Sequence, residues 1–382
     1  MNIWIISGEA SGDDYGAGLA RALKAAEPTL IIRGMGAEKM RAAGVDIMID
    51  STDLGIVGFF EVLRHLSFFA KLMKSLVRRA EVERPDAVVL IDYPGFNIRL
   101  AQRLKRLGIP VVYYISPQVW AWKKGRIPKI AASVSRMLCI FPFEPKVYDG
   151  TGLQAQFVGH PLLQTLAPYL SAPAERDPDL VILLPGSRHS EFSRLMPIFM
   201  QTAVALLKQN PRLKFHIPLR NEQNIRAVKD IMTKADPSFD QELFDFSSGD
   251  AREWMRRGAA GIAASGTVTV EATILGLPLV VTYRMNPMTF FLARLFVKLP
   301  YVSITNLVTR KRVFEELLQG DATAEKLSHA LLDILPEGRR RLEVLKGMTE
   351  CVSQLGEGQD VARNVSKNVL DVAFQAQKAS KK

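Results

Sequence analysis

The sequence predicts an α/β protein of two doubly wound domains, each a parallel sheet with helices on both faces, the pair facing a central cleft. Three observations carry this. Short β-branched and aliphatic runs alternate with helical stretches along the chain, the pattern of parallel strands buried on both faces. The 382 residues exceed what one hydrophobic core ordinarily organises, so two domains are expected. Each half also opens with a strand feeding a glycine-containing turn, where such folds hold their ligands.

The strands are expected, in order, at residues 3–6, 30–33, 87–91 and 111–115 of the first half, and at 181–184, 215–217, 261–263 and 279–282 of the second. Pro168, Pro173 and Pro178 break the alternation within residues 166–178, which reads as the hinge. The domains are therefore expected at 1–165 and 166–340, with helices over 341–382. No internal repeat interrupts this plan.

Composition narrows the function. A hydrophobic content of 48% with 23% charged residues is that of a globular chain. The net charge of +11 favours anionic partners, namely nucleic acid, anionic lipid or phosphorylated substrates, without choosing among them. The basic residues lack the interleaved aromatics of a single-strand platform, so no nucleic acid is expected. Cys139 and Cys351 stand apart without metal spacing, which fits a reducing cytoplasm and argues against a zinc site. No apolar stretch is long enough to span a bilayer, and the chain opens on a strand where a signal peptide would be apolar and longer. A cytoplasmic protein, free or attached to a membrane surface, is expected.

The turns assign different chemistry to the two halves. Ser7-Gly8-Glu9-Ala10-Ser11-Gly12-Asp13-Asp14 lacks the dinucleotide spacing and places carboxylates where a pyrophosphate needs amides, so a hydroxyl-rich acceptor suits it better. Ser11 and Asp14 also match a capping box, which would make them helix starters only. Gly186, Ser187 and Arg188 precede a helix and offer paired hydrogen bonds to phosphate. Ser265, Gly266 and Thr267 form a second such turn, and Glu271, one helical turn on, can accept both hydroxyls of a ribose. The competing reading is a plain βαβ crossover whose Glu271 complements the helix dipole.

Asp92 stands at the end of the strand 87–91, before Tyr93-Pro94-Gly95-Phe96-Asn97, where a carboxylate can serve as general base; capping of the next helix is its alternative role. His160 and His189 are weaker candidates. Asp177-Pro178-Asp179 spells an acidic triplet but lies in the hinge before a strand, so no metal site is expected and leaving-group charge falls to amides and arginine.

Residues 59–79 read as an amphipathic helix. Phe59, Val62, Leu63, Leu66, Phe69, Ala70, Met73 and Val77 form one apolar face, with Arg64, Lys71 and Arg78 opposite. Phe60, Phe68 and Leu72 fall off that stripe, a surplus that suits an anionic lipid surface; an ordinary surface helix is the alternative. The expected membrane-facing set is Phe60, Val62, Leu63, Leu66, Phe68 and Phe69, with a second stretch at 290–299.

Six blocks taken together, residues 8–13, 92–97, 114–122, 184–188, 265–267 with Glu271, and 301–303 with Asn306, closely resemble lipid-A-disaccharide synthases, in the same order from residue 1 to about 320. The resemblance implies a GT-B arrangement of two Rossmann-like domains and a metal-independent, inverting glycosyltransferase without cofactor. It would join UDP-2,3-diacylglucosamine to 2,3-diacylglucosamine 1-phosphate, giving the β-1,6-linked disaccharide of lipid A and UDP. Asp92 would be the base; Glu9, Ser11, Asp13 and Asn97 would face the acceptor; Asn306 would complete the nucleotide pocket. The family also implies peripheral attachment to the cytoplasmic face of the inner membrane, C-terminal helices that return to the first domain and are sometimes exchanged between protomers, and a homodimer as one assembly. Gly95 departs from the pattern, because the family's loop usually carries a second acid there. A related UDP-sugar transferase or epimerase, or a non-catalytic membrane-surface protein, remains the alternative.

Overall fold

A computed structural model describes residues 1–52, 66–173, 175–286, 290 and 299–380, without the side chains of Leu66 and Ser380. The chain divides into two units, Met1–Pro161 with Gly358–Lys382, and Leu162–Glu357.

The first unit runs β1 (Asn2–Ser7), α1 (Ala10–Ala26), β2 (Ile31–Gly36), α2 (Glu38–Ala42), β3 (Asp46–Asp50), α3 (Leu66–Glu83), β4 (Ala87–Ile91), α4 (Pro94–Arg106), β5 (Val111–Tyr114), α5 (Ile127–Ser133), β6 (Arg136–Cys139) and β7 (Gln154–Phe157). Its sheet is parallel throughout, in the order β3-β2-β1-β4-β5-β6-β7. The order reverses between β1 and β4, and Ser7 pairs with Ile91 there. The turns beginning at Gly8 and Asp92 therefore leave the sheet side by side, at the switch point where α/β folds place ligands.

The second unit repeats the plan with α6 (Leu162–Leu170), β8 (Leu180–Leu184), α7 (His189–Leu207), β9 (Lys214–Leu219), α8 (Glu222–Ala235), β10 (Phe244–Ser248), α9 (Ala251–Arg257), β11 (Ala260–Ala264), α10 (Val268–Ile274), β12 (Leu279–Tyr283), α11 (Ile304–Thr309), β13 (Glu315–Leu318), α12 (Ala324–Leu332) and α13 (Arg341–Gln354). Its parallel sheet has the order β10-β9-β8-β11-β12-β13. Here Leu184 pairs with Ala263 at the reversal, so the turns carrying Gly186 and Ser265 emerge together.

All eight expected strands are present. β3, β6, β7, β10 and β13 were not anticipated, and four of them are sheet edges. An edge strand is half-covered, so it keeps polar residues that break an apolar run. The unit boundary falls at Pro161 and Leu162, ahead of the proline-rich segment; its first residues finish α6, which accommodates Pro168 and packs on α9 and α10. α13 packs on α10 and α11, while the last helix, α14 (Val361–Ser380), packs on α1 and β4. Val361, Val365, Val369, Val372 and Ala373 form its buried stripe at helical spacing.

α3 corrects the amphipathic reading by about one position. Its core side is Leu72, Met73, Leu76 and Ala80, with Phe69 and Val77 packed against it, and Ala70 is exposed. Leu72 is thus a core residue, not surplus. Among the described residues no helix is long and apolar enough to cross a membrane.

Candidate functional site

In the first unit the chain turns sharply after β4. Asp92 and Tyr93 both adopt left-handed backbone, with φ of 45° and 47°, a conformation that side-chain-bearing residues rarely adopt. Surrounding bonds hold it there. The Asp92 amide donates to the Tyr114 carbonyl at 3.0 Å, and the Tyr113 hydroxyl donates to the Asp92 carbonyl at 2.7 Å. Asn97 Nδ2 donates to the carbonyls of Ile91 (3.1 Å) and Asp92 (2.8 Å). Pro94 then starts α4 with its φ preset. Gly8 gives the room: a Cβ there would lie 2.8 Å from the Tyr93 ring.

This setting tunes the Asp92 carboxyl. Burial, reinforced by the charge of Glu9, pushes its pKa up to about 6, so the group is ionised at neutral pH yet basic enough to take a proton. Glu9 and Ser11 are exposed on the neighbouring turn. α1 begins at Ala10 with Glu9 as its cap residue and no side-chain cap bond, so Ser11 does not start the helix.

Two expected acceptor residues are spent elsewhere. Asp13 is buried, and its carboxylate accepts the amides of Ala37 (2.7 Å), Lys39 (2.9 Å) and Met40 (3.2 Å). It is the N-terminal cap of α2 supplied from α1. Asn97 is fully buried and fastens the Asp92 turn from beneath. One acid went unnoticed in the sequence: Glu144, fully buried, accepts the amides of Ile140 and Phe141, each at 3.1 Å, and Trp120 Nε1 at 3.0 Å. Burial pushes its pKa up to about 8. His160 is buried against Phe141, which pulls its pKa down to about 3, as desolvation of an imidazolium requires.

The second unit holds a cavity of about 460 Å³ at the ends of β8 and β11. Gly186, Ser187, Arg188, Ser265, Gly266, Thr267 and Glu271 all line it, joined by Arg220 and Asn224, which carried no sequence motif. Its two glycine turns are not equivalent. Glu191 Oε2 accepts the amides of Ser187 (2.8 Å) and Arg188 (3.2 Å), so the first turn's amides are already satisfied by a carboxylate. A Cβ at Gly186, with φ of 104°, would run into that carboxylate. The Arg188 side chain stays largely exposed.

In the second turn, Ser265 Oγ donates to the Val302 carbonyl at 3.1 Å, and α10 follows with its Thr269 and Val270 amides already donating to the carbonyls of Gly266 (3.1 Å) and Thr267 (2.9 Å), so the amides of Gly266, Thr267 and Val268 are the ones without an acceptor among the described residues. Glu271 Oε1 accepts both Arg252 Nε (3.2 Å) and Nη2 (2.9 Å), which orients its carboxylate at the cavity wall and leaves Oε2 to a ligand. Its pairing with Arg252 is more than dipole complementation.

Asn306 does not line the cavity. It is fully buried, donating to the Phe314 carbonyl and Glu316 Oε1, each at 2.8 Å, and accepting the Phe314 amide at 2.8 Å. Glu316 also accepts the amides of Val302 and Ser303, each at 2.9 Å. Asn306 therefore acts on the cavity through the 302–303 backbone that receives the Ser265 hydroxyl. Asp177 and Asp179 lie before β8, paired with Lys214 at 3.0 Å and Arg212 at 3.8 Å.

Of the expected membrane residues, Phe68 is 46% exposed, while Phe69 is half-buried with its ring 6.3 Å from that of Phe96. Phe60, Val62 and Leu63 lie outside the described residues, as does the side chain of Leu66 and most of the 290–299 stretch.

Known proteins agree with this architecture. The protein of Neisseria meningitidis solved as UDP-GlcNAc 2-epimerase bound to UDP-GlcNAc superposes with a TM-score of 0.62 at 12% identity, covering 98% of this chain and 100% of that one. The glycosyltransferase of kitacinnamycin gives 0.63 at 13% identity, covering 97% and 99%. Likeness at such low identity bears on fold alone, and it makes the two units a GT-B type pair. Sequence goes further. The lipid-A-disaccharide synthase of Coxiella burnetii (strain Dugway 5J108-111) is 37% identical over 380 residues, which cover 98% of this chain and 99% of that protein. The family described as lipid-A-disaccharide synthetase matches residues 3–369, so that both units, both glycine turns and the Asp92 loop lie within one continuous correspondence. The chain belongs to the lipid-A-disaccharide synthase family, a family of glycosyltransferases.

Proposed function

We propose that the protein condenses UDP-2,3-diacylglucosamine with 2,3-diacylglucosamine 1-phosphate, inverting the anomeric centre, to give the β-1,6-linked disaccharide 1-phosphate and UDP. The observation that carries this reading is the Asp92 carboxyl, raised to about 6 in a strained turn at the switch point. It accepts the proton of the acceptor's 6-hydroxyl as that oxygen bonds to the donor's anomeric carbon from the face opposite UDP. The bond to the diphosphate breaks, and UDP leaves with the electron pair. Arg188, Arg220 and the amides of Gly266, Thr267 and Val268 meet the added charge, and Glu271 holds the ribose hydroxyls. Glu9 and Ser11 face the acceptor, with Asn97 acting on the turn beneath them.

The reading includes no metal. The cavity's two acids, Glu191 and Glu271, are committed to amides and to Arg252, which leaves no carboxylate pair for a divalent cation. It also includes attachment to the cytoplasmic face of an anionic membrane, supported by the net charge of +11 and by exposed Phe68, and a homodimer.

The test supplies purified protein with UDP-2,3-diacylglucosamine or UDP-N-acetylglucosamine, each with the acylated acceptor, and identifies products by mass. The tetraacyl disaccharide 1-phosphate from the first donor supports the reading. Turnover of UDP-N-acetylglucosamine alone, as transfer or as epimerisation, replaces it with a related UDP-sugar enzyme.

A further inference from the structure

The first unit carries its charge unevenly. From residue 93 to residue 143 the chain has nine Lys and Arg and no Asp or Glu. Three of these cations, Lys123, Lys124 and Arg126, sit together in the loop that follows β5, and none forms an ion pair among the described residues. Arg136, by contrast, is already engaged with Asn368 and Asp371.

The loop is built, not merely basic. Of the seven non-glycine residues with positive φ among the described residues, four follow β4 or β5: Asp92, Tyr93, Ile115 and Lys123. Ile115, at φ 72°, is β-branched, and left-handed backbone is strained for such a residue. Lys123, at φ 78°, folds back so that its Nζ lies 3.7 Å over the Trp122 ring, which is itself 48% exposed. Burial and the neighbouring Arg126 both lower the Lys123 pKa, the signature of cations held close together with no anion between them. Arg126 also reaches inward: its charge acts on the Tyr113 phenol, whose hydroxyl bonds the Asp92 carbonyl at 2.7 Å. The cluster thus follows β5, the strand paired with β4, and the end of β4 carries the candidate base.

We propose that Lys123, Lys124 and Arg126, beside the exposed face of Trp122, bind the anomeric phosphate of the acceptor sugar. This rests on the transferase reading above. The acceptor's 6-hydroxyl and its 1-phosphate lie on opposite sides of one pyranose ring, so a phosphate anchor belongs about a sugar's width from the base, and a flat indole beside it suits the ring's apolar face. Anchoring the phosphate fixes which hydroxyl meets Asp92. An anionic lipid headgroup offers similar chemistry; discrimination between acceptors separates the two sources.

The experiment measures kcat/KM in neutral detergent without lipid, for the acylated glucosamine acceptor with and without its 1-phosphate. Parent protein should favour the phosphorylated acceptor by about 100-fold, and the double variant Lys123→Ala, Arg126→Ala should collapse that preference to within about threefold, as loss of charge-assisted bonds predicts. Arg126→Lys should keep most of the preference. UDP affinity and the thermal unfolding midpoint should both match the parent in every variant, which certifies that each unit is folded. A double variant that discriminates as well as the parent overturns the inference, whether or not it loses binding to anionic vesicles. A parent that binds UDP but transfers to neither acceptor overturns the transferase reading, and the phosphate site falls with it.

Discussion

Asp92 is held in its strained turn by three neighbours that spend their own hydrogen bonds on its backbone, Tyr113, Tyr114 and Asn97, and is made basic by burial and by Glu9. Asp92→Asn keeps the shape and removes the base, so kcat should fall by about 100-fold or more while UDP affinity, read by calorimetry, stays at the parent's value. The pH dependence follows from the sign of the shift. The folded carboxyl, near 6, lies above its ordinary value of 3.8, so the native protein binds a proton that the unfolded chain has released between those values. Its ionisation lowers stability as pH rises through that window, and kcat/KM should fall as pH drops below about 6. Glu9→Gln removes the second cause and should move this acid limb to lower pH; an unmoved limb would assign it to another group. Asp13 makes the opposite case. Loss of three amide acceptors should cost Asp13→Ala about 2–3 kcal/mol in denaturant unfolding, with acceptor KM unchanged in the folded fraction. The sequence carries Asp13 and Asn306 in motif blocks of the same kind as those that hold Asp92 and Glu271. A motif does not say whether a polar side chain's bonds are already taken by its own backbone, and for Asp13 and Asn306 they are.

At the scale of elements, the paired ladders explain why the site's location was readable while parts of its periphery were not. Central strands such as β1, β4, β8 and β11 are buried on both faces, so their apolar runs and the turns after them stand out. β3, β7, β10 and β13 are edges, and Arg220 and Asn224 reach the cavity from the end of β9 and the start of α8, where no motif marks them. Both glycine turns of the second unit read as phosphate seats, yet Glu191 fills the amides after β8, so the proposed reading gives the diphosphate mainly to the amides of Gly266, Thr267 and Val268. Glu271→Ala should weaken UDP binding about tenfold, and Arg252→Ala less, because Arg252 only orients that carboxylate. The double variant should fall short of the product of the two, since both act on one contact. With Glu191 and Glu271 so engaged, EDTA should leave transfer intact; abolition by EDTA and recovery with magnesium or manganese would show that a cation does enter the cavity.

At the scale of the whole molecule, the remaining question is how a chain whose described helices are too short or too polar to cross a bilayer meets diacylated substrates. Its surface supplies two of the forces that hold a peripheral protein: a net charge of +11 and an apolar side chain left in water. Phe68 is 46% exposed on the first turns of α3, next to the exposed Lys71, whereas Phe69 and Leu72 on the same helix are drawn into the core. The sequence pattern foretold the helix but misplaced its core face by about one position, so Leu72 was counted as surplus when it packs. That distinction chooses the variant. Phe68→Ser should reduce sedimentation with anionic liposomes severalfold at little cost in thermal stability, because it removes one edge contact to Phe69 at 5.6 Å and leaves Phe69 beside Phe96 and Leu72 in the core. Raising salt should weaken the parent's binding only in part, since screening acts on the charge contribution and not on the buried aromatics. A folded Phe68→Ser variant that sediments as well as the parent would leave charge alone as the anchor, and its binding should then vanish at high ionic strength.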